Sequence, residues 1–266
     1  MKTTFRGVKA CVRSAIKTAW MYRVGISSDV VTLLLRVWLL LVVWNAVYGG
    51  AEMVSGIDRQ QAVSYAILAA CLQVALIPWY FSGLEARVRT GQVGIDMMRP
   101  LGLIPQVLGQ NFGTLVARLP ITAIGLAWAM TLGALSLPPA PEAVVIWLIS
   151  TALGMGLSLL MNLLMSMTCF WSLEIGGYTM PYRLGSGLLS GALIPLWFMP
   201  DWLVTTLEWL PFRAQMFTPL GIYFGKITGD AAWTEITVQA AWMATVSGLL
   251  ILVWSRSKHK VVVLGG

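Results

Sequence analysis

Charge is scarce in this chain. Its 266 residues include 18 Lys and Arg and 11 Asp and Glu, 11% in all, against roughly 25% in a soluble domain. Hydrophobic residues make up 58% and lie in long blocks, which a soluble core does not require. No stretch is polar enough to form a soluble domain, so residues 1–266 read as one transmembrane domain. Histidine is nearly missing. The only one, His259, sits in a basic tail, which leaves nothing for histidine-based catalysis or metal binding. The three cysteines, Cys11, Cys71 and Cys169, are odd in number and widely spaced. They form neither a zinc pattern nor a disulfide framework and read as unpaired thiols.

Other absences narrow the function. No pair of acids falls inside an apolar block; Asp29 stands at the start of the first block and Glu174 in a turn. Ion-coupled transporters carry ionisable groups at the membrane midplane, so this disfavours that class. There is no nucleotide-binding loop. The segment Gly221-Ile222-Tyr223-Phe224-Gly225-Lys226-Ile227 is one residue short between its glycines, and Ile227 stands where a magnesium-binding Ser or Thr belongs. No nucleophile–base constellation is visible, so the chain is not expected to be an enzyme. Net charge is +7 with pI ≈ 9.6. The basic residues flank apolar blocks and no nucleic-acid fold signature accompanies them, so no nucleic-acid partner is expected. The first apolar run follows a polar, basic segment of 28 residues, which is not the form of a cleavable signal peptide.

What is present predicts an all-α polytopic membrane protein with six transmembrane helices: 30–49, 62–83, 103–136, 143–170, 178–197 and 231–254. Each reaches about the 20 apolar residues that a spanning helix needs. The third starts as a polar extension through Gln106, Gln110 and Asn111. Ahead of the first span, within residues 1–28, residues 2–23 read as an amphipathic interfacial helix. Lys2, Arg6, Lys9, Arg13 and Lys17 share one face, and Phe5, Val8, Val12, Ile16 and Ala19 another. With the N-terminus in the cytoplasm, the inner segments hold thirteen Lys and Arg and the outer ones three. This asymmetry places both termini inside. Gly154, Gly156, Gly185, Gly187 and Gly191 suit close helix packing in lipid.

Three features invite a functional reading. Arg36 and Arg118 fall within spans. They either snorkel to the interface or line a cytoplasm-facing cavity and meet a polar or anionic substrate group. In the loop 84–100, residues 92–98 predict one or two helical turns with Val93, Met97 and Met98 apolar and Pro100 as the stop. Such a helix suits either a groove in a partner protein or the membrane surface. Finally, residues 195–230 break repeatedly at Pro195, Pro200 and Pro211. They read as short re-entrant or outer helices between spans five and six. Trp197, Phe198, Trp202 and Phe212 there suit a water–lipid boundary.

These peptides resemble the ABC-2 type permeases, in particular a subfamily of short six-span bacterial permeases. The resemblance rests on four stretches: Ser190-Gly191-Ala192-Leu193-Ile194-Pro195-Leu196, Met199-Pro200-Asp201-Trp202, Leu210-Pro211-Phe212, and Pro219-Leu220-Gly221-Ile222-Tyr223-Phe224-Gly225. Gly91, Met97, Met98, Arg99 and Pro100 match a coupling loop, with Gln92 where an acid is usual, and the chain ends in Gly265-Gly266. The resemblance implies an exporter of an amphipathic or hydrophobic substrate in a bacterial inner membrane. It implies a cytoplasmic ABC ATPase dimer that binds ATP and Mg, no cofactor on this chain, and a second permease, identical or paralogous. Gly91, Gln92 and Met97 to Pro100 would couple to the ATPase. Pro195, Trp197, Phe198, Pro200, Trp202, Pro211 and Phe212 would form an outer gate. A gradient-driven transporter or channel and a non-transporting assembly subunit are the alternatives.

Overall fold

The computed structural model describes residues 2–54, 57–76, 83–138, 141–172 and 176–264. Helix α1 (Lys2–Met21) is followed by α2 (Arg23–Tyr48). A two-residue antiparallel ladder, β1 (Met53–Val54) with β2 (Ile57–Asp58), leads into α3 (Arg59–Leu76). Then come the short α4 (Leu84–Arg89) and α5 (Gln92–Met97), and the long α6 (Leu103–Thr131) and α7 (Pro141–Ser166). A 3-10 turn, Met167–Phe170, ends α7. Helix α8 (Gly176–Leu189) is separated by a 3-10 turn, Leu196–Phe198, from α9 (Asp201–Glu208) and α10 (Pro211–Tyr223). Helix α11 (Asp230–Leu264) closes the chain.

Among the described residues, four helices are long and apolar enough to cross a membrane: α2, α6, α7 with its 3-10 extension, and α11. The other two expected spans differ in instructive ways. Helix α3 begins with Arg59, Gln60 and Gln61 and is buried along nearly its whole middle, from Ala62 to Leu72. Protein surrounds it, so its sequence need not match lipid. The end of the predicted second span, 77–82, lies outside the described residues. Helix α8 has 14 residues, about 21 Å at 1.5 Å per residue, against a hydrocarbon core of about 30 Å. It stops at Leu189, ahead of Pro195.

Other boundaries shift as well. The predicted 28-residue N-terminal segment breaks at Tyr22, whose backbone (φ −86, ψ 66) is not helical. Ser27, Ser28 and Asp29 already belong to α2, and Ser27 Oγ donates to the Arg23 carbonyl at 2.9 Å. Helix α6 ends at Thr131, five residues before the expected end. Residues 132–138 run across the bundle, where Ser64 Oγ donates to the Ala134 carbonyl at 3.1 Å.

The helices form two groups. In one, α1 and α3 flank α6, and α2 lies on α3 and α6. In the other, α7 packs against both α10 and α11. Contacts of α7 with α3 and α6 join the two. Small residues make the closest approaches possible. A Cβ on Gly113 of α6 would lie 2.6 Å from the Val12 carbonyl oxygen of α1, and one on Gly154 of α7 would lie 2.5 Å from the Gln215 carbonyl oxygen of α10. The latter carbonyl is special, because Pro219, four residues on, has no N–H to offer it. Helix α1 is amphipathic as expected, with Lys9, Arg13 and Lys17 exposed. Its apolar stripe is half-covered by α6 rather than left wholly to lipid.

Candidate functional site

The loop 84–100 folds into two short helices stapled to α6. Gly91 starts α5 in the left-handed region (φ 71), where a side chain would cost roughly 1–2 kcal/mol. Val93 and Asp96 point inward. Asp96 is only 3% exposed and draws two arginines, Arg87 at 3.3 Å and Arg99 at 3.5 Å. Arg87 also donates to Gln110 Oε1 on α6. Gln106, one turn nearer the start of α6, donates to the backbone carbonyls of Asp96 at 3.0 Å and Leu101 at 2.5 Å. Beneath this lock, Leu84, Val93, Leu103, Met167, Phe170 and Leu250 form an apolar cluster.

The outward face of α5 is correspondingly apolar and free. Met98 is 85% exposed and Ile95 57%. Of the residues singled out in the sequence, Met97 instead packs against the apolar cluster. Gln92 is half-exposed on the first turn of α5, and Arg99 and Pro100 are exposed after its last. Ile95 takes the place expected of Met97, since the helix turns Met97 inward when Val93 is buried four residues before it.

Arg36 and Arg118 meet at one cavity of about 370 Å³ between α2, α3, α6 and α8. Arg36 Nη2 donates to Gln73 Oε1 at 2.6 Å. Arg118 lies 3.6 Å from Asp29 and donates to the Val74 carbonyl at 3.4 Å. Arg183 of α8 lines the same space. Asp29 and Arg118 also border a second cavity of about 880 Å³ between α1, α2 and α6.

The third set of residues lies along the broken segment that follows α8. Tyr65 of α3 is fully buried and donates its hydroxyl to the Gly191 carbonyl at 2.9 Å. The backbone break thus finds a protein partner, which irregular backbone at membrane depth needs. Trp197 packs edge-on to Tyr65 at 4.5 Å, and Phe198 stacks on Trp44 of α2 at 5.7 Å. Pro195 is buried beside them, whereas Pro200 and Trp202 are exposed. Pro211 opens α10 at its first turn, and Phe212 packs on Leu157, Met161 and Val246. The seven expected gate residues therefore do not form one cluster. Trp197 packs on α3 and Phe198 on α2, Phe212 packs toward α7 and α11, and Trp202 stands apart.

Helix α10 is held inside the bundle. Gln239 of α11, fully buried, donates to the carbonyls of Ala214 at 2.8 Å and Ser150 at 3.1 Å. Arg213 pairs with Glu235 at 2.8 Å, and Thr218 Oγ1 donates to the same carboxylate at 3.0 Å.

The model of a family described as ABC-2 family transporter protein matches residues 34–262. This chain belongs to that family. Comparison with curated proteins and with solved structures gave no match. An ABC-2 permease is the transmembrane component of its transporter and not the catalytic one, and membership implies association with an ABC ATPase. The chain is a multi-pass membrane protein. The matched region takes in α5, α8 and the broken segment, and leaves α1 and Asp29 outside.

Sequence reasoning on this ABC-2 permease missed Asp96, Tyr65, Gln239 and Arg183. Asp96 had a usable signal, an acid with arginines nine residues before it and three after. Tyr65 and Gln239 had none, because the partner of Tyr65 lies 126 residues away and those of Gln239 lie 25 and 89 residues away.

Proposed function

We propose that this chain is the permease subunit of an ATP-driven exporter that moves an amphipathic or hydrophobic substrate outward. A cytoplasmic ATPase dimer supplies the ATP and Mg chemistry, and a second permease, identical or paralogous, completes the channel. The chain sits in a bacterial inner membrane with six passages, α3 and α8 adding to the four long helices, and with both termini in the cytoplasm. The observation that carries this reading is α5. It is a short helix locked from behind by Asp96 and presenting Ile95 and Met98 to the outside, at the same end of α6 as the exposed basic residues of α1.

In this account ATP binding moves the ATPases together, and the push on Met98 and Ile95 reaches α6 through Arg87–Gln110 and Gln106. Gly91 sets the turn that aims α5, and Gln92, Met97, Arg99 and Pro100 frame it. At the other end, Pro195 to Phe212 form the outer gate. The stack of Phe198 on Trp44 links that gate to α2, which also carries Arg36.

The test is a mild-detergent pull-down of the tagged chain from its native membrane, with mass spectrometry of what accompanies it. A stoichiometric P-loop ATPase is expected with the unaltered chain and is expected to be lost from Met98→Asp. If the chain comes out alone and moves solute in vesicles without ATP, the exporter reading fails.

A further inference from the structure

The cavity between α2, α3, α6 and α8 has an unequal charge. Among the described residues, its charged lining is the guanidinium groups of Arg36, Arg118 and Arg183 and the carboxylate of Asp29, and the imbalance lies at Arg36. The carboxylate faces Arg118 at 3.6 Å. The hydrogen-bond partner of Arg36 is the neutral amide of Gln73, which orients a guanidinium without neutralising it. The remaining wall is apolar, with Leu33, Val74, Met180, Leu184 and Leu193. Arg36 lies seven residues beyond Asp29 on α2, about 10 Å along the axis, so the excess charge is set within a spanning helix. Positive charge at such a place is costly unless an anion or water answers it. Among the described residues, a cationic ligand would find Asp29 as its acid, already engaged by Arg118.

We propose that this cavity binds the oxyanion headgroup of an anionic amphiphile, a phosphate or carboxylate on an apolar chain, and that this is the class of substrate the permease moves. The word substrate rests on the exporter reading; the binding does not. Guanidinium forks match an oxyanion with paired hydrogen bonds. A space of about 370 Å³ suits a headgroup and the first part of a chain rather than a whole lipid. The apolar residues of α2, α3 and α8 meet that chain. The adjoining cavity of about 880 Å³ at α1 shares Asp29 and Arg118 with this one, so the ion pair stands where the two meet. An amphiphile entering from the α1 side would exchange that pair for its own headgroup.

The experiment uses the full chain in nanodiscs of neutral phosphatidylcholine. Dodecyl phosphate and dodecyltrimethylammonium, which share a tail and differ in charge, are titrated and their Kd values compared. Dodecyl phosphate is expected to bind at least about tenfold more tightly, and Arg36→Gln to remove about that much. Native mass spectrometry of the chain taken from its own membrane separates the two sources of such a headgroup. A retained anionic phospholipid identifies a membrane lipid, and binding of dodecyl phosphate to a lipid-free cavity identifies a soluble amphiphile; either supports the site. Equal affinity for the two probes on the unaltered chain overturns it, as does unchanged dodecyl phosphate affinity in Arg36→Gln. Charge-selective binding without any ATP-dependent movement would leave the site standing and remove the exporter. ATP-driven export with charge-blind binding would do the reverse.

Discussion

At the α5 end of the bundle a carboxylate holds the irregular segment in place; at the α9 end, aromatic rings and a tyrosine hydroxyl do. Asp96 gathers Arg87 and Arg99, and Gln106 and Gln110 of α6 complete the lock. All of these residues lie within 24 positions of one another. The opposite segment relies on partners far away in sequence: Tyr65 with Gly191, Trp44 with Phe198, Tyr223 with Ser136. A local lock lets α5 be pushed as one unit with α6. A distributed set of contacts ties the broken segment to three or more helices, so it shifts only when they do. The proposed input lever and the proposed gate call for these two arrangements.

Mutations can break this contrast in graded steps. The largest effect is expected from Asp96→Ala, which strands Arg87 in a half-buried place. It should cost about 2–3 kcal/mol and expose residues 84–100 to protease while the α9 end stays protected, as limited proteolysis in nanodiscs would read. Gly154→Val forces a side chain against the Gln215 carbonyl oxygen and should cost about 1–3 kcal/mol. Denaturant titration should show that loss in the α7–α10–α11 group with α5 docking unchanged. Tyr65→Phe keeps the ring packing and removes only the bond to Gly191, for about 1 kcal/mol. No loss in thermal unfolding would say that the hydroxyl is not an anchor of this segment. Trp202→Ala, at a residue 69% exposed, should leave stability within about 0.5 kcal/mol. A clear loss there would reveal a partner covering the α9 end.

The same contrast explains what was legible in the sequence. Helix α5 was readable because its signals are local: apolar positions at helical spacing and Pro100 to stop. The break after span five was readable from Pro195. Its true start at Leu189 was not, because Gly191 and the hydroxyl of Tyr65 take part in making that turn. Arg36 and Arg118 stood out as charges within apolar runs. Arg183 lay near the start of the predicted fifth span, 178–197, and drew no functional reading, whereas α8 begins at Gly176 and carries Arg183 about two turns inside. The amphipathic stripe of α1 was plain, but not its partner, since only the fold brings Gly109 and Gly113 of α6 against it. Asp96 illustrates the limit. Its neighbours are visible in sequence, but its burial depends on α6 closing over it.

The proposed role of α5 is to receive the ATPase. It is tested most directly by placing a photo-crosslinking amino acid at Met98, and separately at Trp202, in cells that make the full complex, and identifying the adducts by mass spectrometry. An adduct is expected between Met98 and a nucleotide-binding protein, with no such adduct from Trp202. A nucleotide-binding protein absent at Met98, or captured equally at both positions, would contradict it.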